Sequence, residues 1–289
     1  MSAPVEHDDV TGRRTTGHEW DGIRELNTPL PSWWLYVLYA TIVFSVGYWL
    51  IYPAWPGLSG YTHGLSGHSA RGQLNDRLNA AAVMRAPWIE RLSGQTSAGI
   101  LADPELLTYS IAGGRAIFAV NCAPCHGAGG QGAPGFPVLA DDEWLWGGDI
   151  ANIERTIRYG VRSTHADTRQ SEMPRFAADG LLTPAQVADV TAYVLSLGGE
   201  AHDAEAAARG APIFAEQCAA CHGDAGKGNV ELGAPDLTDK IWLFGGKPAD
   251  IMAQITKPRH GVMPTWQGRL DDATIKMLSV YVHSLGGGQ

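Results

Sequence analysis

The chain has 289 residues, of which 45% are hydrophobic and 18% charged, and its formal net charge is −9 at pH 7. This length and balance suit a folded protein of about two compact domains. The negative charge argues against a nucleic-acid binder, since such proteins carry a clustered basic surface.

Residues 1–32 form a polar segment ahead of an apolar run, residues 33–52, with the sequence WWLYVLYATIVFSVGYWLIY. The run has no charged side chain and is long enough to cross a bilayer as one helix. Its Trp and Tyr residues gather at both ends, which is typical of membrane–water interfaces. A buried core helix and a cleaved signal peptide are the alternatives, and both are usually shorter. The sequence therefore predicts one transmembrane helix in contact with lipid.

Positive charge around this helix predicts its orientation. Arg13, Arg14 and Arg24 lie before the helix, and Arg71 is the first positive residue after it. Because positively charged flanks stay in the cytoplasm, we expect a cytoplasmic N-terminus and an external remainder. Residues 53–107 are predicted to be a linker with helical stretches.

The rest of the chain repeats itself, as residues 108–199 and 205–289. Around the cysteines the offset is 96 residues, and later landmarks recur in the same order. The matched pairs are GGRAIFAVNCAPCHGAGGQG (113–132) with RGAPIFAEQCAACHGDAGKG (209–228), EWLWGG (143–148) with IWLFGG (241–246), and SEMPRF (171–176) with GVMPTW (261–266). Each copy opens with an apolar helix and closes with an amphipathic one, so we predict two small all-α domains. The extra length of the first copy, residues 162–171, is predicted to be a surface loop.

The opening helices carry a glycine on the same face as the first cysteine. Gly114 and Cys122 are eight residues apart, as are Gly210 and Cys218, and residues spaced by multiples of four share a helix face. We expect another helix to cross closely at each glycine, with a tyrosine of a closing helix filling the crossing. The tyrosines in question are Tyr193 and Tyr281.

All four cysteines lie in two C-x-x-C-H motifs: Cys122, Cys125 and His126, and Cys218, Cys221 and His222. A redox dithiol is one alternative, but the βαβ pattern that usually accompanies it is absent. Zinc is another, but the two pairs are far apart in sequence and would need further ligands. The motif is typical of c-type haem attachment, in which two thiols bond to vinyl groups and the histidine ligates iron. We predict two covalently bound haem c groups.

A methionine followed by proline is the predicted sixth iron ligand in each copy. Met173 lies 47 residues after His126, and Met263 lies 41 residues after His222. We therefore expect each methionine to complete the iron site of its own copy, and a Met/His pair raises the reduction potential. The alternatives are methionine as core filler or ligation by His165 or His260.

The order helix, C-x-x-C-H, Pro-x-Leu, Met-Pro and closing helix resembles a class I cytochrome c domain in both copies. The segment HEWDGIRELNTPLPSWWLYVLY (18–39) resembles the start of the di-haem subunit III of cbb3-type cytochrome c oxidases, called CcoP or FixP. The resemblance implies a mainly α fold with one transmembrane helix followed by two tandem cytochrome c domains. It also implies that the carbonyls of Pro137 and Pro235 orient the ligating histidines. Of the repeated tryptophans, one in each domain is predicted to bond a haem propionate, with ordinary packing as the alternative; the candidates are Trp144, Trp146 and Trp242.

The family resemblance further implies a place in respiration. The chain would lie in the bacterial inner membrane with both haem domains in the periplasm. It would accept electrons from a soluble or membrane-bound cytochrome c and pass them through the mono-haem subunit to the catalytic subunit, which reduces oxygen. The chain itself would not be catalytic. Its acidic surface would attract a basic donor.

Two other functions remain open from the sequence. One is a free membrane-anchored di-haem cytochrome c that serves a dehydrogenase or another reductase. The other is a peroxidase-like enzyme or a gas sensor, which needs one iron without a sixth side-chain ligand.

Overall fold

The computed structural model describes residues 6–286, which form two compact units that divide between residues 84 and 85. The first unit contains two short antiparallel hairpins and one long helix. Its elements are β1 (Thr15–Trp20), β2 (Ile23–Leu26), α1 (Ser32–Ile51), β3 (Pro56–Gly57) and β4 (Gly60–Tyr61). Helix α2 (Ala70–Ser93) follows them and ends in the second unit.

Helix α1 is the predicted membrane helix. It is 20 residues long, apolar enough to cross a membrane, and none of its residues is buried in the protein. Pro31 immediately precedes it, where the proline ring fits the start of a helix and the lost N–H costs nothing. A helix of this length whose apolar side chains have no protein cover fits a transmembrane anchor.

The sequence analysis did not predict the hairpin of β1 and β2. Asp21 and Gly22 link its strands with φ values of 50° and 85°. Two consecutive positive φ values are typical of the two-residue turn that Asp-Gly favours in hairpins. The dipeptide was the available signal for this hairpin.

The second unit is helical, with long loops between its helices. After the end of α2 come α3 (Ser97–Ala102), α4 (Pro104–Asn121), α5 (Ala123–His126), α6 (Ile150–Tyr159), α7 (Pro184–Leu197), α8 (Ala204–Gln217), α9 (Ala219–His222), α10 (Pro248–Thr256) and α11 (Asp272–His283). Side chains cap the starts of the opening and closing helices. Asp103 accepts hydrogen bonds from two N–H groups of α4, and Thr183 and Gln186 form a capping box at α7, which satisfies amide groups that a helix start leaves free.

The opening helix of the first copy packs on the closing helix of the second. Core A is the buried cluster that α4, α6 and α11 share, and its members are Phe118, Ile153, Ile157, Trp266, Ile275, Leu278, Tyr281 and Val282. Helices α4 and α6 belong to the first copy, whereas α11 belongs to the second. Core A is therefore built from both copies.

The second core repeats this exchange. Core B is the buried cluster that α7, α8 and α10 share, and its members are Phe176, Leu182, Val187, Val190, Val194, Leu195, Phe214, Cys218, Leu237, Ile251 and Ile255. Helix α7 closes the first copy, whereas α8 and α10 belong to the second. Each core thus combines the opening helix of one copy with the closing helix of the other, which the alignment of the copies did not predict.

A short connection explains this arrangement. Residues 198–203 join α7 to α8, and a connection of that length usually makes two successive helices antiparallel neighbours. Helix α8 therefore packs on α7. The remaining opening helix, α4, packs on the remaining closing helix, α11.

A buried lysine ties α11 to the end of the linker. The Lys276 ammonium donates to the carbonyls of Leu92, Ser93 and Gln95, the last at 2.8 Å, and pairs with Asp272 at 3.1 Å. The last carbonyls of α2 have no partners within their own helix, so a cation there satisfies them. This contact fixes the closing helix of the second copy beside the segment that leads into the first.

Candidate functional site

Each C-x-x-C-H motif forms a single helical turn directly after an opening helix. The N–H of Cys122 bonds to the carbonyl of Phe118, and the N–H of His126 bonds to the carbonyl of Cys122 at 2.9 Å. In the second motif the His222 N–H bonds to the Cys218 carbonyl at 3.0 Å. Two thiols and one imidazole therefore project from one short turn, as attachment to a single ligand requires.

A proline carbonyl orients each histidine. His126 Nδ1 lies 3.0 Å from the Pro137 oxygen, and His222 Nδ1 lies 3.1 Å from the Pro235 oxygen. Since a carbonyl only accepts, Nδ1 carries the proton and Nε2 is the nitrogen that can bind iron. Both predicted contacts are confirmed.

Burial keeps these histidines neutral. It lowers the pKa of both imidazoles, and the hydrogen bond to the proline carbonyl offsets only part of that effect. A neutral imidazole is the form that ligates a metal. Both histidines are therefore in the protonation state of an axial ligand at neutral pH.

The cysteines of each motif differ in exposure. Cys122 is half-buried and Cys218 buried, whereas Cys125 and Cys221 are exposed. Burial raises the pKa of Cys122 and of Cys218 to about 11, with the second cysteine of each motif adding to the effect. A reactive redox dithiol needs a thiolate, which these positions disfavour, whereas a thioether has no proton to lose.

The residues around the motifs also argue against zinc. Among residues 6–286, the group of three His, Cys, Asp or Glu side chains close enough to share an ion is Glu143, Asp236 and Asp239. That group contains no cysteine. Neither motif brings the further ligands that a zinc site needs.

The structure pairs the methionines and the motifs across the copies. Met263 packs against core A, as do Cys122 and the following Ala123. Met173 packs against core B, which contains Cys218. This packing differs from the pairing predicted from spacing, in which Met173 accompanied His126 and Met263 accompanied His222, and which methionine ligates which iron stays a prediction. The physical reason is the exchange of closing helices, since each methionine loop precedes its closing helix and moves with it.

Backbone pairing holds Met263 at the end of α6. Val161 and Met263 exchange two N–H to carbonyl bonds of 3.0 Å each. Gly160 has a φ of 75°, and a Cβ there would lie 2.3 Å from the Met263 oxygen. Only glycine combines that backbone conformation with so close an approach. The methionine loop of the second copy is thus bonded to the first copy.

The tryptophans of the repeat lie near the cores. Trp144 packs against core A and Trp242 against core B, each beside a glycine of its own turn. Trp146 instead meets the other copy, since a Cβ on Gly233 would lie 2.3 Å from its ring. The Arg169 guanidinium stacks on its ring at 5.2 Å. Packing accounts for all three positions, and bonding to haem propionates stays a prediction.

The two histidines that are alternative sixth ligands have other surroundings than the methionines. The ring of His165 lies tilted against that of Tyr159, with 4.8 Å between the ring centroids, and its Nδ1 accepts the N–H of Asp167 at 3.0 Å. His260 is exposed. Neither is oriented by a carbonyl in the way that His126 and His222 are.

The predicted surface loop, residues 162–171, contains two structural arginines that sequence reasoning missed. Arg169 is 5% exposed and donates to Asn152 and Thr156. Arg162 is half-buried and donates to the carbonyls of Gly261 and Ser171. Burial lowers the pKa of both guanidinium groups. The insertion has no counterpart in the second copy, so the repeat gave no pattern for these residues. Because Arg169 is buried, the surface-loop prediction is wrong for this residue.

A close helix crossing positions each motif. A Cβ on Gly114 would lie 2.3 Å from the Met277 oxygen and 2.6 Å from the Tyr281 Cβ. A Cβ on Gly210 would lie 2.1 Å from the Asp189 oxygen, at the crossing with α7. The predicted glycine crossings with tyrosine are confirmed, with the closing helices exchanged.

Comparison with known proteins adds the family. Three family descriptions match in chain order: the N-terminal domain of cytochrome oxidase-cbb3, FixP, over residues 12–59; cytochrome c over residues 111–198; and cytochrome c oxidase, cbb3-type, subunit III, over residues 205–282. The cbb3-type cytochrome c oxidase subunit FixP of Bradyrhizobium diazoefficiens is 51% identical over 293 residues, covering 100% of both chains. The subunit CcoP of Cereibacter sphaeroides is 50% identical over 276 residues, covering 95% of both.

The chain belongs to the FixP/CcoP family of cbb3-type cytochrome c oxidase subunits. This confirms the predicted resemblance and the fold class, a mainly α chain with an N-terminal apolar helix and two cytochrome c domains. Membership also confirms two haem c groups as the cofactors, and it fits α1 as a membrane anchor. The thiol pairs, the neutral histidines and the soft methionine sulphurs supply a donor set that suits haem c.

Gly114→Ala tests the crossing that positions the first motif. The added methyl group must displace the backbone of α11, so we expect a loss of about 1–3 kcal/mol in the free energy of unfolding. Thermal unfolding of the detergent-extracted, haem-loaded chain measures it. The control is Gly198→Ala, where the nearest atom to a Cβ is an ordinary 3.6 Å away. Equal stability of the two variants would contradict the crossing.

Proposed function

We propose that the chain is the electron-transfer subunit of a cbb3-type terminal oxidase, passing electrons from a donor cytochrome c towards the oxygen-reducing subunit. The observation that carries this proposal is the full-length similarity to FixP and CcoP, together with two intact motifs whose histidines are held by proline carbonyls. The FixP-type N-terminal match over residues 12–59 favours an oxidase subunit over a free di-haem cytochrome.

The proposed haem-binding residues number eight. In the first site Cys122 and Cys125 would form the thioethers, and His126 and Met263 would bind the iron. In the second site Cys218 and Cys221 would form the thioethers, and His222 and Met173 would bind the iron. The support for this pairing is that Met263 packs on core A and Met173 on core B.

Bound haem c supplies a one-electron centre that alternates between ferric and ferrous iron. The residues of this chain hold it in place and close both of its axial positions. With one histidine and one methionine on iron, each site would leave no open coordination position for a substrate, which argues against the peroxidase-like enzyme and the gas sensor. Oxygen reduction therefore belongs to another subunit, and this chain only transfers electrons.

Contact between the copies supports a relay between the two sites. The Gly135 N–H donates to the Leu243 carbonyl at 2.8 Å. Gly135 lies two residues before Pro137, whose carbonyl bonds His126, and Leu243 follows Trp242, which packs against core B. A short path of covalent and hydrogen bonds thus joins the histidine of one site to the core of the other.

The proposed partners are the catalytic and mono-haem subunits of the oxidase and a cytochrome c donor. The formal charge of −9 supports a basic donor, because opposite charges speed the encounter of two proteins. The apolar, unburied surface of α1 supports contact with lipid.

We propose a cytoplasmic N-terminus and periplasmic haem domains. Three arginines before α1 support this orientation, as does the attachment of c-type haem outside the cytoplasmic membrane. Protease added to sealed inside-out vesicles should remove only the segment before α1. Digestion of the haem domains in these vesicles would contradict the orientation.

Purification tests the proposed function. The chain should co-purify with a membrane complex that contains copper and b-type haem, and its deletion should abolish the oxygen consumption of that complex. Restoring the intact chain is the control. A chain that purifies alone, with oxygen consumption unchanged after deletion, would favour the free di-haem cytochrome.

A chain with one haem removed tests whether each methionine ligates the haem attached to the other copy. In a chain with Cys122→Ala and Cys125→Ala, only the second site is loaded. Met173→Ala should then abolish the weak far-red absorption of methionine-ligated ferric haem and lower the reduction potential, because a soft ligand to ferrous iron is lost. Met263→Ala is the matched control and should leave both unchanged. The opposite result would restore the pairing within each copy.

A further inference from the structure

One side chain contacts both loops that carry the methionines. Arg162 Nε donates to the Gly261 carbonyl at 2.7 Å, and Arg162 Nη1 donates to the Ser171 carbonyl at 2.8 Å. Gly261 lies two residues before Met263, and Ser171 lies two residues before Met173. The two acceptors occupy equivalent positions of the repeat, so one guanidinium bridges the same point of both copies.

The backbone of Arg162 is fixed before its side chain reaches these loops. Its φ is 51°, a value that non-glycine residues rarely adopt. Its N–H bonds to the Arg169 carbonyl at 2.8 Å, and the preceding Val161 pairs with Met263. A residue held in a rare conformation by several bonds is a feature that the surrounding fold maintains.

The chemistry of the bridge suits arginine. Both bonds end on backbone carbonyls, and the planar guanidinium offers five N–H donors in a fixed fork. A lysine ammonium is a point charge on a flexible stem and does not reproduce that geometry. The bridge therefore holds two loops at a fixed separation, which a charge alone would not do.

We propose that Arg162 is a positioning residue for both axial methionines, so that the two iron–sulphur bonds depend on one side chain. This proposal rests on the proposed function, because it needs Met173 and Met263 to be ligands. It adds that the two sites are coupled through their methionine loops. Loss of the Arg162 bridge should loosen both loops together, although each methionine serves a different haem.

The test compares the far-red absorption of the oxidised full-length chain in detergent across variants with two haems attached. Met173→Ala and Met263→Ala should each remove about half of the band, since each iron contributes one methionine bond. Arg162→Gln should reduce the band below that half and lower both reduction potentials. The control is Arg175→Ala, since Arg175 is also two residues from Met173 but is exposed and pairs with Asp179.

The outcomes separate the two proposals. If the methionine variants keep the full band, the ligand assignment fails. If they behave as expected but Arg162→Gln affects one haem or neither, the proposed bridge is wrong. Should Arg162→Gln not accumulate with two haems, Arg162→Lys decides. This variant keeps the positive charge but lacks the planar set of guanidinium donors, so both iron–sulphur bonds should weaken together. A far-red band equal to that of the parent chain would overturn the proposal.

Discussion

The short connection between α7 and α8 is the constraint on which the second unit depends. Because residues 198–203 form so short a connection, α8 folds back on α7. Gly210 lets the two backbones touch, and the partner of α4 is then α11. Each core consequently takes its motif from one copy and its closing helix from the other. Because a methionine loop leads into each closing helix, the exchange also decides which methionine packs on which core.

Each buried core contains residues of both copies. Core A brings Cys122 together with Met263, and core B brings Cys218 together with Met173. Arg162 adds a bridge between the two methionine loops. Two fully independent domains would let each site adjust its ligands alone. In this arrangement each closing helix packs on the opening helix of the other copy.

Much of the site could be predicted from the sequence, because haem attachment needs residues close together in the chain. The C-x-x-C-H motifs, the proline carbonyls that bond His126 and His222, and the glycine crossings follow from spacing of about a dozen residues or fewer. The pairing of the methionines could not be predicted from the repeat, since both copies carry the same pattern and either closing helix satisfies either opening helix. The length of residues 198–203 was the overlooked signal. Arg162 lies in an insertion that the second copy lacks, so no comparison within the chain singled it out.

Cutting the chain between the copies tests the exchange most directly. A specific protease site placed among the exposed residues 199–202 divides the chain into an anchored fragment and a fragment that begins near α8. Each fragment keeps one covalent haem, so both can be followed by haem staining. The exchange predicts that the cut fragments stay together in mild detergent, keep both methionine-ligated spectra, and separate only on denaturation. Release of the second fragment as a folded cytochrome with its methionine band intact would show that each copy completes its own site.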